Sequence, residues 1–132
     1  MSGAPPAAIV GDLTGHQGGT TPFVLVSAAS NNATLIKAGA GQIWLAAAGN
    51  VNAAPRFLKM FDKATTPTPG FDTPVRQFII PGNAAGAGTN VPIPLVGMQF
   101  SLGIGIAITA GIALDDDTAI GAGDVCLTIE YK

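Results

Sequence analysis

Asn31-Asn-Ala-Thr-Leu-Ile-Lys-Ala-Gly-Ala-Gly-Gln-Ile-Trp-Leu45, followed from Arg56 by Phe-Leu-Lys-Met-Phe-Asp-Lys63, decides the fold class. The stretch reads as three successive strands. Residues 33–38 alternate, with Thr34 and Ile36 against Leu35 and Lys37, and Gly39-Ala40-Gly41 breaks the run. Gln42 to Ala46 then returns as the expected hairpin partner. In the third run Phe57, Lys59 and Phe61 share one face and Leu58 and Met60 the other, so both faces need cover. Trp44, the only tryptophan, stands between Ile43 and Leu45, which predicts a core position.

Outward from this stretch the pattern stays β. Pro22 to Ala28 is a first strand, rich in β-branched residues with proline at its start. Residues 63–74 form a loop with Pro67, Pro69 and Pro74, and Val75 to Ile80 is the next strand. Residues 83–90 read as a small flexible loop, and Pro92 and Pro94 restrict residues 91–95 to an edge or a connection. Between Phe100 and Ala110, Leu102, Ile104, Ile106 and Ile108 form a core face. Gly103, Gly105 and Ala107 form a smooth face open to close approach by another backbone. The last strand sets Val125, Leu127, Ile129 and Tyr131 against Cys126, Thr128 and Glu130. Seven to eight strands, short Gly/Pro connections and no helix predict an all-β, antiparallel β-sandwich of jelly-roll type. Residues 1–21, rich in Gly, Ala, Pro and Thr, form an expected N-terminal arm ahead of one domain at 22–132.

Composition narrows the function. Of 132 residues only 11% are charged, against about 25% in an ordinary soluble domain. So little charge predicts that other chains bury much of the surface. The net charge of −2 offers no general attraction to nucleic acid. Lys37, Arg56, Lys59, Lys63 and Arg76 make the middle basic, and Asp115, Asp116, Asp117, Asp124 and Glu130 make the last third acidic. That asymmetry either steers one subunit onto another or cancels inside one protomer. Leu95 to Leu114 is 20 residues without charge, but its glycines and period-two alternation fit a strand better than a membrane helix. No basic region followed by an apolar core marks a signal peptide.

Catalytic and metal motifs are not found. No phosphate-loop or dinucleotide glycine pattern is complete, and the lone His16 falls in the arm. Asp115-Asp116-Asp117 lacks the glycine and distal glutamate of a calcium loop and reads as a solvated turn, with a metal site there as the lesser alternative. Cys126, the only cysteine, sits in an apolar alternation and predicts a buried structural thiol. The expectation is a non-enzyme without cofactor or metal. Its candidate interface residues are Lys37, Arg56, Lys59, Gly103, Gly105, Asp115, Asp116 and Asp117.

The order Asn32-Ala-Thr-Leu-Ile-Lys-Ala-Gly-Ala-Gly, then Arg56-Phe-Leu-Lys-Met-Phe-Asp-Lys-Ala-Thr-x-Pro, then Asp72-Thr-Pro-Val resembles small structural proteins of tailed bacteriophages. Phe100-Ser-x-Gly-Ile-Gly-Ile-Ala-Ile-Thr, the Asp-Asp-Thr and the closing Gly123-Asp-Val…Tyr-Lys extend it, so it covers residues 31–132. The resemblance implies a capsid decoration or cement protein. Such a protein is made in the host cytoplasm, sits on the virion surface as a homotrimer or other small cluster, and binds the major capsid protein. Nucleic acid and membrane are not expected partners. A head-fibre or tail module for host or glycan attachment stays open, as does a subunit of a non-viral bacterial assembly.

Overall fold

The structure, a computed structural model, describes residues 19–132. His16 and nearly all of the expected arm lie outside the described residues. Nine strands follow: β1 Thr21–Val26, β2 Thr34–Ala38, β3 Gly41–Asn50, β4 Arg56–Asp62, β5 Arg76–Ile80, β6 Ala87–Asn90, β7 Met98–Phe100, β8 Gly103–Thr109 and β9 Val125–Tyr131. They form two antiparallel sheets, ordered β1-β9-β3-β6 (with β7 also on β3) and β2-β8-β4-β5. The chain alternates between sheets through β1, β2, β3 and β4, and again through β7, β8 and β9. The first and last strands pair. This winding is a jelly roll.

Two sequence expectations change here. β2 and β3 are not a hairpin: at Gly39 (φ +113°) the chain leaves one sheet, and at Gly41 it enters the other. Only glycine tolerates such a φ without strain. Residues 87–90, expected as loop, form the short edge strand β6 against the second half of β3.

The core lies between the sheets. Leu58 and Met60 of β4 and Ile104, Ile106 and Ile108 of β8 meet Ile43, Ala46 and Ala48 of β3 and Leu127 and Ile129 of β9. A bulge at Trp44 switches β3's parity: Ile43 faces inward before it, and Ala46, Ala48 and Asn50 after it. One extra residue turns every later side chain over. Leu102, expected in the core, is exposed in the turn before β8.

Candidate interaction surface

The two sheets are finished differently. The chain's own loops cover the β8 and β4 part of the outer face of the β2-β8-β4-β5 sheet, while Ile79 of β5, beside Phe57, stays 55% exposed. Pro67, Pro69 and Pro74 are buried over it, and residues 110–118 lie beside them. Phe57, Lys59 and Phe61 are therefore as buried as the core face of β4. A Cβ on Gly105 would sit 3.0 Å from the Pro67 ring, and one on Gly103 would overlap the carbonyl oxygens of Lys63 and Lys37. The smooth face of β8 does admit close approach, but by this chain's own loop. Gly103 and Gly105 are thus corrected from interface to interior.

Lys59 is corrected in the same way. It is fully buried, and its Nζ donates to Thr109 Oγ1, to the Gly111 carbonyl (3.0 Å) and to the Asp116 carbonyl (3.4 Å). Burial depresses its pKa, while the Asp116 and Asp115 carboxylates pull the other way without restoring it. The ammonium tethers the loop that carries the three aspartates.

Those aspartates do not act together. The Asp116 carboxylate accepts from Gly111 N–H (2.9 Å), Thr118 N–H (3.1 Å) and the Thr118 hydroxyl (2.8 Å). Burial pushes its pKa up, but these bonds and the Lys59 charge outweigh burial and hold it below the usual value. Asp117 leans on Gly70, and Asp115 is exposed. Among the described residues no group of three potential ligands could hold a metal. The cation beneath this loop is the chain's own Lys59.

Other charges also close internally. Arg56 Nε and Nη2 donate to Asp124 Oδ2 at 3.2 and 2.9 Å, with both side chains largely buried. Those bonds, against the opposing effect of burial, hold the Asp124 pKa down, helped by Gly121 N–H and Asn52. Lys63 pairs with Asp72 at 2.6 Å. The basic middle and the acidic third therefore cancel in part within one protomer, at Arg56–Asp124 and Lys59–Asp116. Lys37 is left half-exposed.

Among the described residues, nothing covers the outer face of the β1-β9-β3-β6/β7 sheet. Its five strands carry one charged residue, Glu130, which accepts a hydrogen bond from the Thr20 hydroxyl (2.8 Å). The rest of the face is uncharged: Val24 and Val26, Thr128 and Cys126, and Leu45 and Ala47, with the amides of Gln42, Gln99 and Asn90 toward β6 and β7. A shallow trough of about 450 Å³ runs across Ala47, Gly49, Gly88 and Cys126. Cys126, expected as a buried thiol, is exposed here. So is Trp44, at 37%: it follows inward-facing Ile43, and the bulge sets it and Leu45 side by side on the outer face. Its indole packs on Gly97, where a Cβ would sit 3.1 Å away. Gln42 Nε2 holds the same loop through the Val96 carbonyl (2.9 Å), which leaves Leu95 and Val96 at the rim.

Sequence reading missed this face, although a signal was present. Val24 and Val26 alternate with Phe23 and Leu25, so β1 is apolar on both sides. Among the described residues, fold and surface define a jelly roll with one sheet largely covered by its own loops and the other uncovered. No protein-family model and no curated protein matches the sequence. Among solved structures, the coat protein of Tobacco streak virus is similar over 86% of this chain and 88% of that chain, at 11% identity and a TM-score of 0.34. That likeness is too slight to carry an argument. No helix among the described residues is long and apolar enough to cross a membrane.

Proposed function

We propose that the protein is a virion structural protein that decorates a bacteriophage capsid. It would lie on the outer surface as a small symmetric cluster and bridge neighbouring subunits of the major capsid protein. The observation that supports this reading most is the bare sheet: exposed Val24, Val26, Leu45 and Cys126 on strands with one charge among them. Jelly rolls are a recurrent architecture of viral capsid proteins, and the phage resemblance over residues 31–132 points the same way. The buried or paired states of Lys59, Arg56, Asp116 and Asp124 favour a role in holding loops. Several weak contacts per cluster would stabilise the shell by avidity.

The test is location. Purified particles imaged by electron microscopy are expected to show the protein in many symmetry-related copies outside the shell. Alkylation of Cys126 should be slower on shells than in the free protein. Absence from heads, or a few copies at a tail site, sinks the proposal.

One observation favours a second reading, attachment to host glycans. Half-exposed Trp44 lies beside Gln42, with the exposed Gln99 paired to Gln42, and aromatic plus amide groups suit a sugar. Saturable glycan binding that is lost in Trp44→Ala would replace decoration with this reading.

A further inference from the structure

β1 and the β6/β7 pair border one sheet, and β2 and β5 border the other. Edge strands expose unpaired N–H and C=O groups, and proteins blunt them by shortness, bulges or charge. β6 and β7 are four and three residues long. β2 is bulged between Leu35 and Lys37 and carries that lysine. β5 carries a charge, Arg76, whose guanidinium lies 5.1 Å over the Phe100 ring, and Gln77 Nε2 donates to the Ile112 carbonyl (2.8 Å).

β1 has none of these guards beyond Pro22. Its six residues run in regular register with β9, without charge or bulge. Ser27 N–H donates to the Val125 carbonyl at 2.9 Å. By alternation, Phe23 and Leu25 turn their backbone to β9, and Pro22, Val24 and Val26 turn theirs to the open side. Among the described residues no strand pairs there. Val24 and Val26 are 63% and 64% exposed.

We infer that β1 pairs antiparallel with β1 of a second copy across a two-fold axis, with the N–H groups of Val24 and Val26 as donors. A second copy fits because an uncharged strand meets no like charge when it faces itself, and β-branched Val24 and Val26 suit cross-strand contact. The contact is isologous and closed. An antiparallel two-fold stands perpendicular to the sheet, so the two five-stranded sheets join and both bare faces look the same way. The pair would thus present twice the docking surface on one side. Two copies replace the trimer expected above. The pairing does not depend on the virion reading, since it concerns the free protein.

The test is made on the free full-length chain by sedimentation and by amide hydrogen exchange. The expected result is a dimer in which Val24 and Val26 N–H exchange slowly, although neither faces a partner strand among the described residues of its own protomer. Val24→Pro removes a donor that the β1–β9 ladder does not use, and Val26→Lys places a charge at the seam. Each should weaken the dimer tenfold or more with the strand content of the circular dichroism spectrum unchanged. If Val24→Pro fails to fold, Val26→Lys carries the test.

A monomer with fast-exchanging amides overturns the pairing. So does a dimer that both variants leave intact. A monomer with protected amides overturns it in favour of the chain's own N-terminal residues. Protection that appears only on shells overturns it in favour of a shell subunit.

Discussion

Lys59 carries a charge out of reach of solvent, where an ammonium survives only if oxygen atoms replace its hydration. Thr109, Gly111 and Asp116 supply them, and all three belong to the end of β8 and the loop after it. The residue therefore joins β4 to a distant loop as well as filling space. Lys59→Ala removes the stem and orphans those acceptors, so a loss of about 3 kcal/mol is expected in urea unfolding. Lys59→Met keeps most of the stem and removes the desolvated charge, and its loss should be smaller, about 1 kcal/mol. Equal losses would assign the whole effect to the ammonium. Alternation in the sequence put Lys59 on one face with Phe57 and Phe61, which the structure repeats. What alternation cannot show is a loop folding back over that face, because the landing place of residues 110–118 depends on contacts some 50 positions away in sequence. Hence Lys59 reads as a surface contact and is a buried tether.

Among the elements, the strands were legible because a half-buried strand writes its orientation every second residue. β9 is the clearest case, with Val125, Leu127 and Ile129 inward. Legibility ends where the period breaks. The Trp44 bulge adds one residue and reverses β3, and nothing local in Ile43-Trp44-Leu45 announces it. The β2–β3 link misleads for a similar reason, since a Gly-rich turn serves a hairpin or a crossing between sheets equally well. The connections are pinned by carboxylates. For Asp62, burial pushes the pKa up, but the N–H groups of Leu102, Ser101 and Gly103, with the Arg76 charge, hold it below the usual value. Lys63 and Thr68 hold Asp72 down, and Arg56 holds Asp124 down. A carboxylate with a depressed folded pKa binds fewer protons folded than unfolded, so its contribution is complete above the unfolded value near 3.8 and is lost as pH falls through the folded value. Melting temperature should thus be level from neutral pH to about 5 and fall steeply below about 4. Asp62→Asn should lower it at neutral pH and flatten the acid slope. An unchanged slope would mean that the β7–β8 turn does not depend on ionised Asp62.

At the scale of the whole molecule, the low charge content that pointed to an assembly has a location. Charged residues are concentrated on the loops and on β2, β4 and β5, and the sheet containing β1, β3 and β9 has one. A face of this kind tolerates water in the free protein, since no core residue depends on it, and becomes favourable to bury only against a surface equally poor in charge. Ala47 lies near its centre, between Thr128 of β9 and Asn90 of β6. Ala47→Lys adds a charge that free protein leaves in water, so melting should move by less than about 3 °C. Docking would bury that charge without a partner, and binding to shells should fall at least tenfold. Ala113→Lys, on an exposed loop near the closed sheet, is the matched control and should bind as the unmodified protein does. If both lysines leave binding unchanged, the bare face is not the docking face. If both reduce it equally, added charge alone is responsible and the face has no special role. A loss confined to Ala47→Lys, with the dimer intact by sedimentation, separates shell contact through the sheet face from copy-to-copy contact through the β1 edge.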